Sequence, residues 1–132
     1  MMLLAPPCAA QAEDIKPEVV VRCIHDMGEW GTEMINRCVE ADLAAAKALQ
    51  AYPKAHGAVV DRCTQHMQRH GWEMVKLCAD RDIEAAAALA RYPAEFRFAI
   101  DSCREQVGEQ GAAKVKACTD RYTSGDASRA KD

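Results

Sequence analysis

Residues 59–93 read VVDRCTQHMQRHGWEMVKLCADRDIEAAAALARYP, and residues 19–53 read VVVRCIHDMGEWGTEMINRCVEADLAAAKALQAYP. Laid over one another without a gap, they agree at sixteen of thirty-five positions. The shared residues include Arg22/Arg62, Cys23/Cys63, Met27/Met67, Gly31/Gly71, Met34/Met74, Cys38/Cys78, Asp42/Asp82 and the Tyr-Pro pair at 52–53 and 92–93. A third copy keeps Cys103, Gly111 and Cys118, with Val107 and Lys114 where the others have Met. Cysteines therefore recur fifteen apart within a copy and forty apart between copies. A divergent, shortened last unit is what a capping repeat looks like.

Within a unit the apolar residues step by three and four, the helical period. The first limb carries Val20, Cys23 and Met27, then Val60, Cys63 and Met67, then Ile100, Cys103 and Val107. Gly31, Gly71 and Gly111 follow, suited to a left-handed cap that ends each first helix. The second limb runs about twenty residues free of Gly and Pro, from Trp72 to Tyr92 in the middle unit, with Val75, Cys78, Ala85, Ala86 and Leu89 on its apolar line. Pro53 and Pro93 stop it, or open the next helix as first-turn prolines. The predicted unit is an α-hairpin. Cys63 lies eight residues before Gly71 and Cys78 seven after it, so both stand ~11 Å from the turn at 1.5 Å per residue.

That geometry predicts the disulfides Cys23–Cys38, Cys63–Cys78 and Cys103–Cys118, although six cysteines allow fifteen pairings. The fold class is then all-α: three tandem disulfide-stapled α-hairpins of period forty, forming a short solenoid or a compact helical bundle. Units of this size bury too little apolar surface to stand alone, so stacking and stapling must supply the rest. The expected divisions are repeat 1 at 13–57, repeat 2 at 58–97, a divergent cap at 98–123 and a disordered tail at 124–132.

Residues 1–12, MMLLAPPCAAQA, are uncharged and end in the small-x-small pattern of a signal-peptidase site. They read as an incomplete signal peptide, lacking the basic start and the longer apolar run. Cys8 falls inside it and leaves six cysteines, an even number, in the mature chain. That arithmetic places the protein in an oxidising compartment, periplasmic or secreted. No later segment has the ~20 apolar residues of a membrane span. The net charge of −3 and scattered basic residues argue against nucleic acid.

Candidate sites are few. Cys-x3-Met on one limb and Met-x3-Cys on the next would converge four sulfurs, a donor set suited to soft metals such as Cu(I). Met27, Met34, Met67 and Met74 are the thioethers, and His66 and His70, four apart, could add imidazoles. Packing of Met beside a disulfide is the competing reading, and a solvated face is the competing reading for the histidines. Trp30 and Trp72 flank the turns as partner anchors or as lids over the core. Asp42 and Asp82 interrupt the second apolar line at one repeat position. Each could pair with Arg22 or Arg62, or N-cap a separate helix starting at Leu43 or Ile83.

There is no Cys-x-x-Cys, haem-attachment, nucleophile-elbow or phosphate-loop motif, so the chain reads as non-enzymatic and without a cofactor. The plan, one bridge per α-hairpin in tandem, is similar to that of secreted Sel1-like cysteine-rich repeats, which are shorter and have closer cysteines. The resemblance implies no functional residue here. What the copies share is what folding needs, namely cysteines, turn glycines and core aliphatics. The expected function is therefore an exported protein-interaction scaffold with an unspecified protein partner and oligomeric state, the alternative being a copper or other soft-metal binder.

Overall fold

The computed structural model describes residues 12–124, with side chains from Asp14 onward. The expected leader and the tail after Ser124 lie outside the described residues, apart from Ala12, which opens the first helix. Among the described residues there are helices and turns and no strand. The α-helices are α1 (Ala12–Met27), α2 (Thr32–Gln50), α3 (Gly57–Met67), α4 (Trp72–Ala90), α5 (Arg97–Val107) and α6 (Ala112–Thr123). Short 3₁₀ turns at Gly28–Trp30, Gln68–His70 and Gly108–Gln110 recur every forty residues, and two more, Lys54–His56 and Ala94–Phe96, precede α3 and α5. No described helix is long and apolar enough to cross a membrane.

The chain divides into two compact units after Leu77, inside α4. In the first, α1 packs along α2, and Ile15, Val19 and Cys23, spaced by four, meet Ala46 in the core. Ile35, Val39, Leu43 and Trp72 pack around them. In the second, Ile100 and Cys103 of α5 meet Val115 and Cys118 of α6 and Leu89, edged by Tyr92, Phe96 and Val107. Cys23 is bonded to Cys38 and Cys103 to Cys118, each with Cα atoms 5.8 Å apart. Cys63 and Cys78 are disulfide-bonded as well.

Four expectations about local structure are corrected. Gly31, Gly71 and Gly111 are not left-handed caps on the first helices. Their φ values of 93°, 103° and 104° come with ψ of 173°, 163° and 167°, a region that only glycine enters readily. Each closes a 3₁₀ turn through its N–H and then accepts the first bond of the next helix, as when the Val75 N–H donates to the Gly71 carbonyl at 3.2 Å. Pro53 and Pro93 are not first-turn α-helical residues. They are extended, with ψ of 147° and 150°, and their carbonyls accept the bonds that close the following 3₁₀ turns.

No helix begins at Leu43 or Ile83, because α2 and α4 run unbroken through Asp42 and Asp82. Ala86 faces solvent, whereas its counterpart Ala46 is buried in the first core. The remaining helical stripe is as periodicity requires: Asp42, Ala45, Ala46 and Leu49 are buried on α2, three and four apart.

Candidate functional site

Two carboxylates lie where apolar side chains are expected, Asp42 at 2% and Asp82 at 4% exposure. A buried carboxylate is costly unless its charge is paired and its oxygens are bonded. Asp42 has its charge paired and one of its two oxygens hydrogen-bonded. Its Oδ2 is 3.0 Å from Arg22 Nη2, an ion-pair distance without an aligned donor. Its Oδ1 accepts the backbone N–H of Glu73 at 3.2 Å. Asp82 repeats the second contact, with Oδ1 accepting the Ala113 N–H at 3.0 Å.

Both acceptors cap a helix that belongs to the next repeat. Glu73 and Ala113 are the second residues of α4 and α6, whose first-turn N–H groups have no partner inside the helix. The residues before these helices, Gly71 and Gly111, have no side chain to cap with. The aspartate of the preceding copy supplies the missing acceptor from thirty-one residues upstream. The capping chemistry expected of Asp42 and Asp82 is present, but on a distant helix.

Arg22 completes the joint. It bonds Asp26 at 3.1 Å, one turn on, and its Nη2 lies 3.6 Å from Cys23 Sγ and 3.9 Å from Cys38 Sγ. Arg62 makes the same approach to Cys63 Sγ at 3.6 Å. A Cβ added at Gly71 would stand 2.7 Å from Arg22 Cζ and 2.8 Å from Asp42 Oδ1. Glycine is thus required there twice, once for its backbone conformation and once for space. Beside the joint, Glu18, Arg22, Asp42, His66, Arg69 and Trp72 line an open groove of about 670 Å³.

The cysteines of the Cys/Met/His constellation are not available as ligands. All six described cysteines are in disulfides and offer no thiolate. Met34 and Met74 are exposed, while Met27 and Met67 are half-buried. His66 and His70 do not share a helical face, because α3 ends at Met67 and His70 lies in the 3₁₀ turn. Of the two tryptophans, Trp72 lies against the first core as a lid, and Trp30 is 66% exposed.

A second polar cluster was missed in the sequence. The Tyr92 hydroxyl donates to Asp120 Oδ1, and Lys116 Nζ donates to Asp120 Oδ2 at 2.8 Å. Partial burial would raise the Asp120 carboxyl, but the bonds from Lys116 and Tyr92 and the Lys116 charge hold it below the usual range. Tyr92 is raised, first by its bond to Asp120 and then by desolvation. Lys116 is raised by its bonds to Asp120 and Tyr92. The available signal was an acid at 40, 80 and 120 alongside the repeated Tyr-Pro.

Compared with protein-family models, curated proteins and solved structures, the chain matches none.

Proposed function

We propose that this chain is an exported, non-enzymatic protein-interaction scaffold of the periplasm or the secreted fraction. Three disulfide-stapled hairpins present an outer surface to a protein partner. The carrying observation is the contrast between what the copies share and what they expose. Shared positions are spent on the disulfides, the turn glycines and the aspartate joint. The three most exposed large apolar side chains are each particular to one copy: Trp30 at 66%, Val21 at 68% and Phe98 at 86% exposure. Exposed aromatic and aliphatic groups on a covalently braced frame are the anchors from which protein interfaces are built. The disulfides favour an oxidising compartment.

The reading is tested by placing a photo-crosslinking residue at Val21 and, separately, at Phe98 in the exported protein. The expected result is a discrete adduct of defined mass from at least one position. No adduct from either position across growth conditions would overturn it.

A further inference from the structure

The bridges are chemically unequal. In repeat 1 the Arg22 guanidinium lies beside the bond, its Nη2 donating to Cys23 Sγ at 3.6 Å and to Cys38 Sγ at 3.9 Å. The two sulfurs also differ in access, for Cys23 is fully buried and Cys38 half-buried. Repeat 2 keeps both features: Arg62 Nη2 donates to Cys63 Sγ at 3.6 Å, Cys63 is buried and Cys78 is half-buried. Cys78 has a copy on either side of it in the chain, so partial access at this position does not come from standing in a terminal repeat.

Repeat 3 has neither feature. Ser102 stands at the position of Arg22 and accepts a bond from Gln106 Nε2 at 3.2 Å. Cys103 and Cys118 are both buried, at 0% and 4% exposure, in the core with Leu89, Ile100 and Val115.

These differences bear on thiol–disulfide exchange, whose rate depends on which sulfur can be reached and on how well the other leaves as a thiolate. A neighbouring guanidinium favours the thiolate. Asp26 and Asp42 bind the same guanidinium, at 3.1 and 3.0 Å, and offset its charge. They also fix its position, so Arg22 acts on sulfur through a directed N–H more than through net charge.

We propose that Cys23–Cys38 is a thiol-exchange site, attacked at Cys38 Sγ by the thiolate of a dithiol reductant and opened with Cys23 leaving against Arg22, whereas Cys103–Cys118 is a structural bridge. The incoming thiolate bonds to Cys38 Sγ as the Cys23–Cys38 bond breaks. The electron pair goes to Cys23 Sγ, to which Arg22 Nη2 donates. The reductant's second thiolate then attacks its own sulfur in the mixed disulfide and releases Cys38. The dithiol ends as a disulfide, oxidised by two electrons, and its two thiol protons pass through water to Cys23 and Cys38. The attacked sulfur is the one that solvent reaches, and the leaving sulfur is the one closer to the guanidinium.

The first test uses the natural oxidised chain under native conditions. Treatment with dithiothreitol, acid quench, alkylation and peptide mass mapping should label Cys23 and Cys38 at least ~10-fold faster than Cys103 and Cys118. The rate should rise linearly with dithiothreitol and stay flat in low urea, because direct attack exposes no further surface. Equal rates for the two bridges, or a steep urea dependence, would mean opening by unfolding and would overturn the idea. Reduced glutathione, a monothiol, should be found after acid quench as a mixed disulfide on Cys38. An adduct on Cys23, or none on either, would refute the direction of attack.

The second test separates chemistry from stability. R22M removes the donor to Cys23 and also the partner of Asp42, so a merely structural arginine would let the bridge open faster in the variant. The expected result is the opposite, opening at least ~10-fold slower than in the natural chain, with part of the rate restored in R22K. Opening in R22M as fast as in the natural chain, or faster, would sink the idea. The glutathione adduct is read on the natural chain, so it decides the matter whether or not R22M folds. Val21 and Phe98 play no part here, and the scaffold reading stands or falls separately.

Discussion

At the scale of single residues, Asp42 and Gly71 fix each other's identity. Replacing Asp42 with Ala takes from Arg22 its buried partner, leaving it Asp26 alone, and leaves the Glu73 N–H without its acceptor. Losing one partner of a buried pair costs about 3–5 kcal/mol, so D42A should lower stability by that order in urea denaturation. D42N keeps a capping oxygen and should cost clearly less. The glycines provide an internal control for the packing argument. Both Gly31→Ala and Gly71→Ala incur backbone strain, about 1–3 kcal/mol each. Only G71A also drives a Cβ into Arg22 and Asp42. G71A should therefore unfold at a distinctly lower denaturant concentration than G31A, and equal midpoints would refute the close approach at Gly71.

At the scale of elements, the disulfides and the Tyr92–Asp120–Lys116 cluster hold neighbouring helices together. Each short loop closed by a bridge is worth about 3 kcal/mol in the chain-entropy account. C23A/C38A and C103A/C118A should each lower stability by roughly that amount, and complete reduction should abolish cooperative melting by circular dichroism. The polar cluster has a pH signature. Asp120 is lowered in the folded protein, so its contribution is present above the usual carboxylate range and fades as pH falls through the folded value. Tyr92 and Lys116 are raised, so theirs is present below their ordinary values, 10.0 and 10.5, and fades as pH rises past them. Y92F should cost about 1 kcal/mol at neutral pH, and its stability should fall less steeply above pH 10 than that of the natural chain.

At the scale of the whole molecule, a forty-residue period makes local reasoning strong and non-local reasoning weak. The helices, the positions of their turns and the cysteine pairs 23–38 and 103–118 were legible because they depend on spacing within one copy. The joint was not. Asp42 and Asp82 stood out as polar residues on an apolar line, but their partners lie thirty-one residues downstream on backbone atoms, which carry no residue-type signal. His66 and His70 looked like a ligand pair only while the helix was assumed to continue; the 3₁₀ turn after Met67 breaks their spacing. The Tyr92–Asp120 bond was hidden for the same reason, since neither residue is unusual in its own copy.

The sequence by itself determined a helical chain with cysteines in fixed register and a glycine at each turn, because helical periodicity and glycine's backbone freedom are local properties. Only the tertiary structure decided that a buried aspartate caps the following repeat's helix. A hydrogen bond to a backbone amide is chosen by where two helices lie in space, and no pattern along the chain records it.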